Sequence, residues 1–423
     1  MKVLWFSNSP AAAYNDKVQG TGSWMEALDY ALQNCVDLHI AYLYPYKQES
    51  FKNGFTTYHP IFRGEIIKES LKGRFMPFIH KDMTGEYLKI IREVQPDIIH
   101  IHGSENDFHN IVSKTNVPVV LSIQGNTTVY AYKYLSGFHG SFLAMPQKPL
   151  SVKSLILGRG SFKKGFNWMK RLAYVEQKNF KDVKFVIGRT DWDYRITRVL
   201  SPKSKYYVCN EILRSSFYME KWQNTFFTGK IKIHTTNGDN YYKGFEDICY
   251  ALSLLNSLGY DIEWTVAGIS ENSTINKIAK KYLKKNYPTK GLRLLGSLDE
   301  LRLCEILKST NLYVMPSHIE NSPNNLCEAM IMGVPCIATH AGGTTSILKD
   351  HKEGLIIQDG DPWAMAGAII EMISNPQQSV RYGENARITA LERHNRDSIV
   401  KSLLEIYRNI IDYKNENTIH KNA

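Results

Sequence analysis

The sequence predicts an α/β protein made of two domains, each built around a mostly parallel sheet. Its 423 residues exceed what a single hydrophobic core usually holds. Over the first 125 residues, short apolar runs such as Val3 to Phe6 alternate with amphipathic stretches such as Ala27 to Leu32. The same alternation restarts at Lys230. Because this order is typical of β-α-β units, two such series in one chain indicate two α/β domains.

The domain boundaries follow from where the alternation stops and restarts. We expect an N-terminal domain over 1–210, a hinge over 211–229 and a C-terminal domain over 230–395. In the second domain, Ile231 to His234 is a predicted strand and Phe245 to Leu258 a predicted helix.

The last amphipathic stretch predicts a helix over 396–413 that returns to the N-terminal domain. Apolar residues recur there at helical spacing from Leu403 to Ile411. The polar tail from Lys414 onward is expected to fray.

Cysteine usage and hydropathy argue against a secreted or membrane-spanning protein. None of the six cysteines forms a C-x-x-C pair, and no histidine cluster accompanies them to suggest zinc. The N-terminus lacks the apolar run of a secretion signal, and no window approaches the roughly 18 apolar residues of a membrane-spanning helix. We therefore expect a cytoplasmic protein.

The net positive charge lies in one basic segment, residues 141–206. This segment has 15 Lys and Arg against 4 Asp and Glu, so its net charge of +11 equals that of the whole chain. Aromatic residues are interleaved with its cations, and this mixture suits an anionic membrane surface or a lipid-diphosphate acceptor. A solvated helical face is the other interpretation. Nucleic acid is not an expected partner, since no nucleic-acid-binding motif is present.

The stretch from Met315 to Pro335 predicts a strand, a loop and a capped helix. Ser322 followed by Pro323 indicates an N-cap with proline at the first helical position. Gly333 marks the end of the helix, and Pro335 follows it.

This helix start offers groups suited to a sugar nucleotide. The amides of Asn324, Asn325 and Leu326 are expected to be unpaired at a positive helix end, which favours a diphosphate. Glu320 precedes the helix, and Glu328 lies on it eight positions later. Because a carboxylate accepts hydrogen bonds from neighbouring hydroxyls, Glu328 is expected to hold a ribose and Glu320 a sugar.

The stretch resembles the Glu-x7-Glu signature of the family 4 retaining glycosyltransferases, which have the GT-B fold of two Rossmann-like domains facing each other across a cleft. The resemblance is strongest over 230–375. It implies that Glu320 contacts the transferred sugar and takes part in catalysis. It also implies that Glu328 binds the ribose, while Asn325 and Leu326 bind the diphosphate.

A lysine-glycine pair, Lys243-Gly244, is similar to an element whose lysine neutralises the leaving diphosphate in that family. Such a leaving group needs a fixed cation when no metal is present, so Lys243 is a predicted catalytic and donor-binding residue. The family's usual arginine, five residues earlier, is replaced by Gly238. Either a second cation comes from elsewhere or donor binding is weaker.

The N-terminal domain shows a looser resemblance over 1–210. Gly22 lies in a glycine loop that the family uses against the donor phosphate. The strand from Pro96 to Gly103 matches a family pattern that includes His102. Gln124 ends the next strand where many members have a histidine, and glutamine forms hydrogen bonds but does not titrate.

His102 and Arg189 are predicted to contact the acceptor or to support the residues that do. The pattern also fits an interior histidine at position 102. Asp191 and Asp193 form an Asp-x-Asp pair beside Arg189, but they stand at a predicted helix start and are interpreted as capping residues. No metal motif or enzymic nucleophile stands out, so the expected chemistry needs neither a metal nor a cofactor.

The resemblance implies a retaining transfer of sugar from a UDP- or GDP-sugar to a hydroxyl of a glycan or lipid-linked acceptor. The leaving phosphate would accept the proton, and the implied setting is bacterial polysaccharide or lipopolysaccharide assembly at the inner face of the membrane. Two alternatives stay open: a UDP-sugar epimerase of the same architecture, and an inactive GT-B scaffold or partner protein. The second is suggested by the missing arginine at Gly238.

Overall fold

Two sheets form the framework of the protein in a computed structural model, which describes residues 1–14, 23–62, 82–140, 142, 162–223 and 229–422. The strands of the first sheet are β1 (Lys2–Ser7), β2 (Asp37–Tyr44), β3 (Phe51–Asn53), β4 (Thr56–Phe62), β5 (Ile98–His102), β6 (Val119–Ser122), β7 (Phe185–Gly188) and β8 (Lys205–Val208). The strands of the second are β9 (Ile231–Thr236), β10 (Ile262–Ala267), β11 (Leu292–Gly296), β12 (Leu312–Met315), β13 (Cys336–Thr339) and β14 (Gly354–Ile357).

Helices connect most of these strands. They are α1 (Ser23–Leu32), α2 (Thr84–Val94), α3 (Thr127–Lys133), α4 (Phe162–Phe180), α5 (Asp191–Leu200), α6 (Ser215–Met219), α7 (Phe245–Ser257), α8 (Thr274–Leu283), α9 (Glu300–Ser309), α10 (Asn324–Met332), α11 (Pro362–Ser374), α12 (Pro376–Arg393) and α13 (Arg396–Asn422).

The first sheet has the order β3-β4-β2-β1-β5-β6-β7-β8, and every pairing in it is parallel except that of β3 with β4. Successive residues of the central strand β1 enter different cores, because side chains alternate across a strand. Trp5 packs with α1 and α13 on one face, and Phe6 packs with α2 on the other. Burial on both faces explains why β1 is a continuous apolar run.

The second sheet has the order β11-β10-β9-β12-β13-β14 and is parallel throughout its pairings. Helices α7, α8 and α11 pack on one face around Ile233 and Trp264. Helices α9, α10 and α12 pack on the opposite face around Tyr313. The predicted fold class of two parallel-sheet α/β domains is therefore confirmed.

The C-terminal helix α13 packs on the N-terminal domain. Ile399, Leu403 and Ile406 join the core that contains Trp5. The buried hydroxyl of Tyr407 accepts a hydrogen bond from Trp5 Nε1 at 3.2 Å and lies 2.6 Å from His100 Nδ1. The chain therefore returns to its first domain after completing the second.

The segment predicted as a hinge packs on the C-terminal domain in its described part. Phe217 of α6 is fully buried beside α9 and α10. Trp222 donates from Nε1 to the carbonyl of Thr310 at 2.7 Å. Residues 213–222 thus belong to the core of the second domain rather than to a free linker.

A segment of the N-terminal half also enters the C-terminal core. We call residues 134–140, which follow α3, the strap. Its Phe138 is 1% exposed and belongs to the core around Ile233 and Trp264. The Phe138 ring lies 5.1 Å from that of Tyr282, centroid to centroid. The two domains therefore share apolar contacts as well as a chain connection.

Helix α4 lies within the basic segment and holds α3 in place. Its Glu176 is buried and accepts hydrogen bonds from the amides of Thr127 and Thr128 at 3.2 and 2.7 Å. Lys170 and Lys178 are exposed on the opposite face. Lys148, Lys153 and Arg159 of the predicted basic segment lie outside the described residues.

Within the part of the chain that the structure describes, no helix combines the length and apolar character needed to cross a membrane.

Phe138→Ala is expected to destabilise the C-terminal domain by about 3–5 kcal/mol, because it removes a buried ring and leaves a cavity. Urea denaturation followed by tryptophan fluorescence measures the change. Tyr132→Ala is the matched control, since Tyr132 is an 83% exposed aromatic residue of α3, the helix that leads into the strap. Equal effects of the two substitutions would contradict the packing described for Phe138.

Candidate active site

Helix α10 begins one residue later than the sequence predicts. Ser322 is not its N-cap: Pro323 occupies that position with an extended backbone, φ −69° and ψ 108°, and no side chain caps the helix. Proline fixes φ at a value compatible with either role, and here ψ is non-helical, so the first helical residue is Asn324. The predicted end is confirmed, because Gly333 caps the helix with φ 88°.

Two of the three amides expected to be unpaired at this helix start are unpaired. The Leu326 amide instead donates to the carbonyl of Pro323 at 3.1 Å and to Asn325 Oδ1 at 2.9 Å. Among the described residues, the amides of Asn324 and Asn325 have no acceptor. The Asn325 side chain also donates to the carbonyl of Thr236 at 2.6 Å, which ties the helix start to the end of β9. Two amides at a positive helix end therefore remain for an anion.

Glu320 is buried at the carboxyl end of β12, beside the cation predicted for the diphosphate. Its Oε1 accepts hydrogen bonds from Lys243 Nζ at 2.5 Å and Ser317 Oγ at 2.7 Å. The Glu320 carbonyl accepts from the amide of Gly343 at 3.0 Å. A Cβ at Gly342, whose φ is +54°, would approach that carbonyl oxygen to 2.0 Å, so the turn requires glycine there.

Lys243 reaches Glu320 because the backbone after it passes very close to the loop after β12. Gly244 has φ +68°, and a Cβ there would lie 2.0 Å from the carbonyl oxygen of Pro316. The carbonyl of Lys243 accepts a hydrogen bond from Asn237 Nδ2 at 2.9 Å. The predicted catalytic pair, 77 residues apart in sequence, is thus brought together.

Glu328 has a protein partner that the sequence did not indicate. Arg214 Nε and Nη2 bind its two carboxylate oxygens at 2.7 and 2.6 Å, in a bidentate pair. Burial raises the pKa of Glu328, and Arg214 acts in the opposite direction. The carboxylate predicted to hold a ribose is therefore oriented by an arginine from the segment that joins the domains.

Gln124 lies where the loop after β6 meets the signature loop of the second domain. Asn321 Nδ2 donates to the carbonyl of Gln124 at 3.3 Å, and Thr190 Oγ1 donates to Asn321 Oδ1 at 3.0 Å. Asn321 directly follows Glu320, so Gln124 and Glu320 stand on opposite sides of one interdomain contact. Asn321 was not identified from the sequence, because an isolated asparagine carries no pattern.

Arg189 forms hydrogen bonds to the loop that carries Gln124. Its Nη2 donates to the carbonyls of Ile123 and Gln124 at 2.7 and 3.3 Å, and its guanidinium pairs with Glu211. The side chain of Arg189 is only 5% exposed. Its position therefore fits the predicted role of supporting the contact residues, not that of contacting the acceptor itself.

His102 is an interior histidine, packed between Trp5 and Trp24. It borders a cavity of about 30 Å³ that Gln124 and Arg189 also line. Burial, together with the charge of Arg189 and the neighbouring His100, lowers the pKa of His102 far below its usual value. The ring is therefore neutral at physiological pH, and neither ring nitrogen has a hydrogen-bond partner among the described residues.

The aromatic side of the cleft joins the two domains. The ring of Tyr130 on α3 packs edge-on against Tyr242 at 5.2 Å, next to Lys243. Glu105 lies nearby and accepts a hydrogen bond from the Gly125 amide at 3.1 Å. Burial raises the pKa of Glu105 to about 7, so this carboxyl group titrates near neutral pH.

The remaining predicted features are Gly22 and the Asp-x-Asp pair. Gly22 lies outside the described residues. Asp191 and Asp193 open α5, where Thr190 and Asp193 form a capping box, so the interpretation as a capping residue is confirmed for Asp193.

The two parallel-sheet domains have the GT-B architecture, which several solved glycosyltransferases share. The structure of sucrose-phosphate synthase from Thermosynechococcus elongatus superposes with a TM-score of 0.72 at 13% identity, covering 97% of this chain and 99% of that one. Anabaena HepE, solved with UDP and glucose, gives a TM-score of 0.61 at 12% identity over 96% and 98% of the two chains. At these identities the likeness shows the fold.

Residues 219–389 match the family model described as glycosyl transferases group 1, so the resemblance to glycosyltransferases predicted from the sequence is confirmed over these residues. An uncharacterized glycosyltransferase of Methanocaldococcus jannaschii is 27% identical over 188 residues, which is 44% of this chain and 47% of that protein. The capsular polysaccharide biosynthesis glycosyltransferase CapM of Staphylococcus aureus is 21% identical over 368 residues, 83% of this chain and 94% of that protein. The first curated relatives are matched over about a quarter to a half of their lengths.

Arg214→Met is expected to lower the free energy of unfolding by about 3 kcal/mol, since it leaves the buried Glu328 carboxylate without its partner. Arg302→Met is the matched control: Arg302 pairs with Glu305 in a contact whose side chains are 62% and 63% exposed, and such pairs contribute about 0–1 kcal/mol. Denaturant unfolding of both variants measures the difference. A loss no larger in Arg214→Met than in the control would show that the bidentate pair does not stabilise the site.

Proposed function

We propose that the protein transfers a sugar, with retention of anomeric configuration, from a nucleotide-diphosphate sugar to a hydroxyl acceptor. The observation that carries the proposal is the grouping of Glu320, Lys243 and the free amides of Asn324 and Asn325 at the carboxyl edge of the second sheet. Ligands of open α/β sheets bind at that edge. A carboxylate for sugar hydroxyls and positive groups for a diphosphate are the two parts that such a donor needs.

Lys243 is the proposed cation for the leaving group. It forms an ion pair with Glu320, and when the donor binds, its ammonium would be shared with the diphosphate that develops negative charge. The free amides at the start of α10 would add two hydrogen bonds to the same phosphates. We propose on this basis that the transfer itself requires no metal and no cofactor.

Gln124 is the proposed contact on the acceptor side of the reacting carbon. Its amide forms hydrogen bonds without titrating, so the leaving phosphate oxygen, rather than a side chain, would accept the proton of the attacking hydroxyl. The bond from the sugar to the phosphate breaks on the face from which the hydroxyl attacks. No covalent intermediate on the enzyme is then needed.

The donor is proposed to be a UDP- or GDP-sugar, with its ribose held by Glu328. HepE, a fold neighbour, was solved with UDP and glucose, which supports a nucleoside diphosphate as the ligand of this architecture. The acceptor is proposed to be a glycan or lipid-linked glycan in bacterial polysaccharide or lipopolysaccharide assembly. The similarity to CapM, a capsular polysaccharide biosynthesis glycosyltransferase, supports this class of acceptor.

Glu320→Gln is expected to reduce kcat by about 100-fold or more while the donor Kd changes little, because the charge acts on the reacting sugar. Glu328→Gln is expected to raise the donor Kd by about 10- to 100-fold, since a charge-assisted hydrogen bond to the ribose is lost. A thermal-shift screen of nucleotide sugars identifies the donor, and titration calorimetry with product assays measures both variants. Glu371→Gln on the exposed face of α11 is the control.

Turnover and donor affinity that stay unchanged in both Glu320→Gln and Glu328→Gln would contradict the proposal. Conversion of a UDP-sugar to its epimer without any acceptor would identify the alternative enzyme. A protein that binds neither UDP nor GDP would fit the scaffold alternative.

We further propose that the basic face of α4 attaches the protein to the cytoplasmic surface of an anionic membrane. Lys170, Arg171 and Lys178 are exposed there, together with Tyr174, which is 69% exposed. Cations beside an exposed aromatic ring suit the interface between lipid headgroups and acyl chains. This surface would place the N-terminal domain next to a lipid-linked acceptor.

Replacing Lys170, Arg171, Lys178 and Lys181 by Glu is expected to abolish flotation with vesicles that contain anionic lipid, because each cation near such a surface contributes about 1 kcal/mol. The matched control replaces Lys230, Lys277, Lys285 and Lys290 by Glu; these exposed residues carry the same charge on the other domain. Flotation that survives the α4 substitutions, or that is lost equally in the control, would refute attachment through this face.

A further inference from the structure

A second cluster of ionisable groups lies at the domain seam, away from the Lys243–Glu320 pair. Glu246 and Asp247 are in the first turn of α7, and His318 is in the loop after β12. All three are buried. His318 Nε2 lies 2.6 Å from Glu246 Oε1 and 3.8 Å from Asp247 Oδ2. One ligand atom from each residue lies within 4.8 Å of the other two.

Several polar atoms of this cluster lack a hydrogen-bond partner. Among the described residues, Glu246 Oε2, Asp247 Oδ2 and His318 Nδ1 are buried and have none. Native structures rarely leave buried polar groups in this state, because each one costs free energy. His318 Nδ1 faces Asp359 on the other side of the ring, so it is the two carboxylate oxygens that point to a ligand that the protein chain itself does not supply.

The charge of the cluster specifies the kind of ligand. Asp359 adds a third carboxylate, 3.8 Å from His318 Nδ1, and Lys133 pairs with Asp359 at 2.9 Å. Three carboxylates and one ammonium leave a formal charge of −2 when His318 is neutral. A divalent cation would bring the formal charge of the cluster to zero.

Without a cation, protons would have to supply that charge. Burial acts to lower the pKa of His318, but the carboxylates of Asp359 and Glu246 outweigh it and raise this pKa to about 10. Burial and the charge of Glu246 raise the pKa of Asp247 to about 8. Both shifts reflect the close packing of negative charge in this cluster, which a bound cation would relieve.

We propose that Glu246, Asp247 and His318 bind one divalent cation of the zinc class. An imidazole nitrogen with two carboxylate oxygens is a donor set that zinc accepts at 2.0–2.2 Å. Ligand atoms around such a centre stand about 3.4 Å apart. The 2.6 Å contact opens and the 3.8 Å contact closes by less than 1 Å to reach this geometry. Magnesium fits poorly, since it retains several waters and needs an octahedral shell.

The strap of the N-terminal half covers this site. A Cβ at Gly137 would lie 1.6 Å from Glu246 Oε1 and 2.7 Å from His318 Nε2, so a larger residue there would displace these side chains. Phe138, the next residue, is anchored in the C-terminal core. A cation enclosed in this way joins the strap to α7 and the loop after β12. Its role is structural, and it takes no part in the proposed transfer at Glu320.

The test is zinc binding by the full-length protein after removal of bound metal with a chelator. Titration calorimetry with ZnCl2 is expected to show one site per chain, and MgCl2 is expected to give no binding. Asp247→Asn is expected to weaken zinc binding by about 100-fold or more. The amide has the size and shape of the carboxyl group that it replaces, so this variant should unfold at about the same temperature as the wild type when zinc is absent. Zinc should raise the Tm of the wild type alone.

His351→Gln is the matched control, because His351 is exposed and lies 3.7 Å from Asp350, a histidine–aspartate pair at the surface. It should bind zinc as the wild type does. The inference is overturned if the wild type binds no zinc, or if Asp247→Asn and Glu246→Gln both bind it with unchanged affinity. The readout is metal binding, so it does not depend on whether the proposed sugar transfer is correct.

Discussion

Buried charges need a partner, and this constraint organises the seam between the two domains. The Glu320 carboxylate is almost enclosed, and it is kept there by Lys243 and Ser317. The Glu328 carboxylate is equally buried and is held by the two nitrogens of Arg214. Removing one member of such a pair leaves the other as a buried charge without a partner. Each pair therefore fixes the relative position of the elements that supply its members.

Backbone proximity makes this pairing geometrically possible. Gly244 lets the turn before α7 approach Pro316, and Gly342 lets the turn after β13 approach Glu320. A side chain at either position would collide with a carbonyl oxygen. The site is thus built from loops that touch through their main chains, with the charged side chains filling the remaining space. In the proposed binding mode, a donor would share Lys243 with Glu320 and Glu328 with Arg214.

The seam also contains apolar and aromatic contacts that connect the halves of the chain by three routes. The strap inserts Phe138 into the C-terminal core, α13 carries Tyr407 back to Trp5 and His100, and Tyr130 packs on Tyr242 beside Lys243. These contacts connect the N-terminal and C-terminal domains directly. The close approach of the Asn321 loop to Gln124 follows from them.

The sequence by itself determined the two parallel-sheet domains, the helix that ends at Gly333, and the choice of Glu320 and Lys243 as candidate residues. Those features depend on local periodicity, on glycine and proline stereochemistry, and on a spacing within one strand–loop–helix unit, all of which are written along the chain. Only the tertiary structure decided that Arg214 binds Glu328 and that Asn321 contacts Gln124. It also decided that Glu246, Asp247 and His318 form one cluster next to Gly137. These partners are far apart in sequence and follow no spacing rule, because strand order and domain packing alone bring them within a few ångströms of one another.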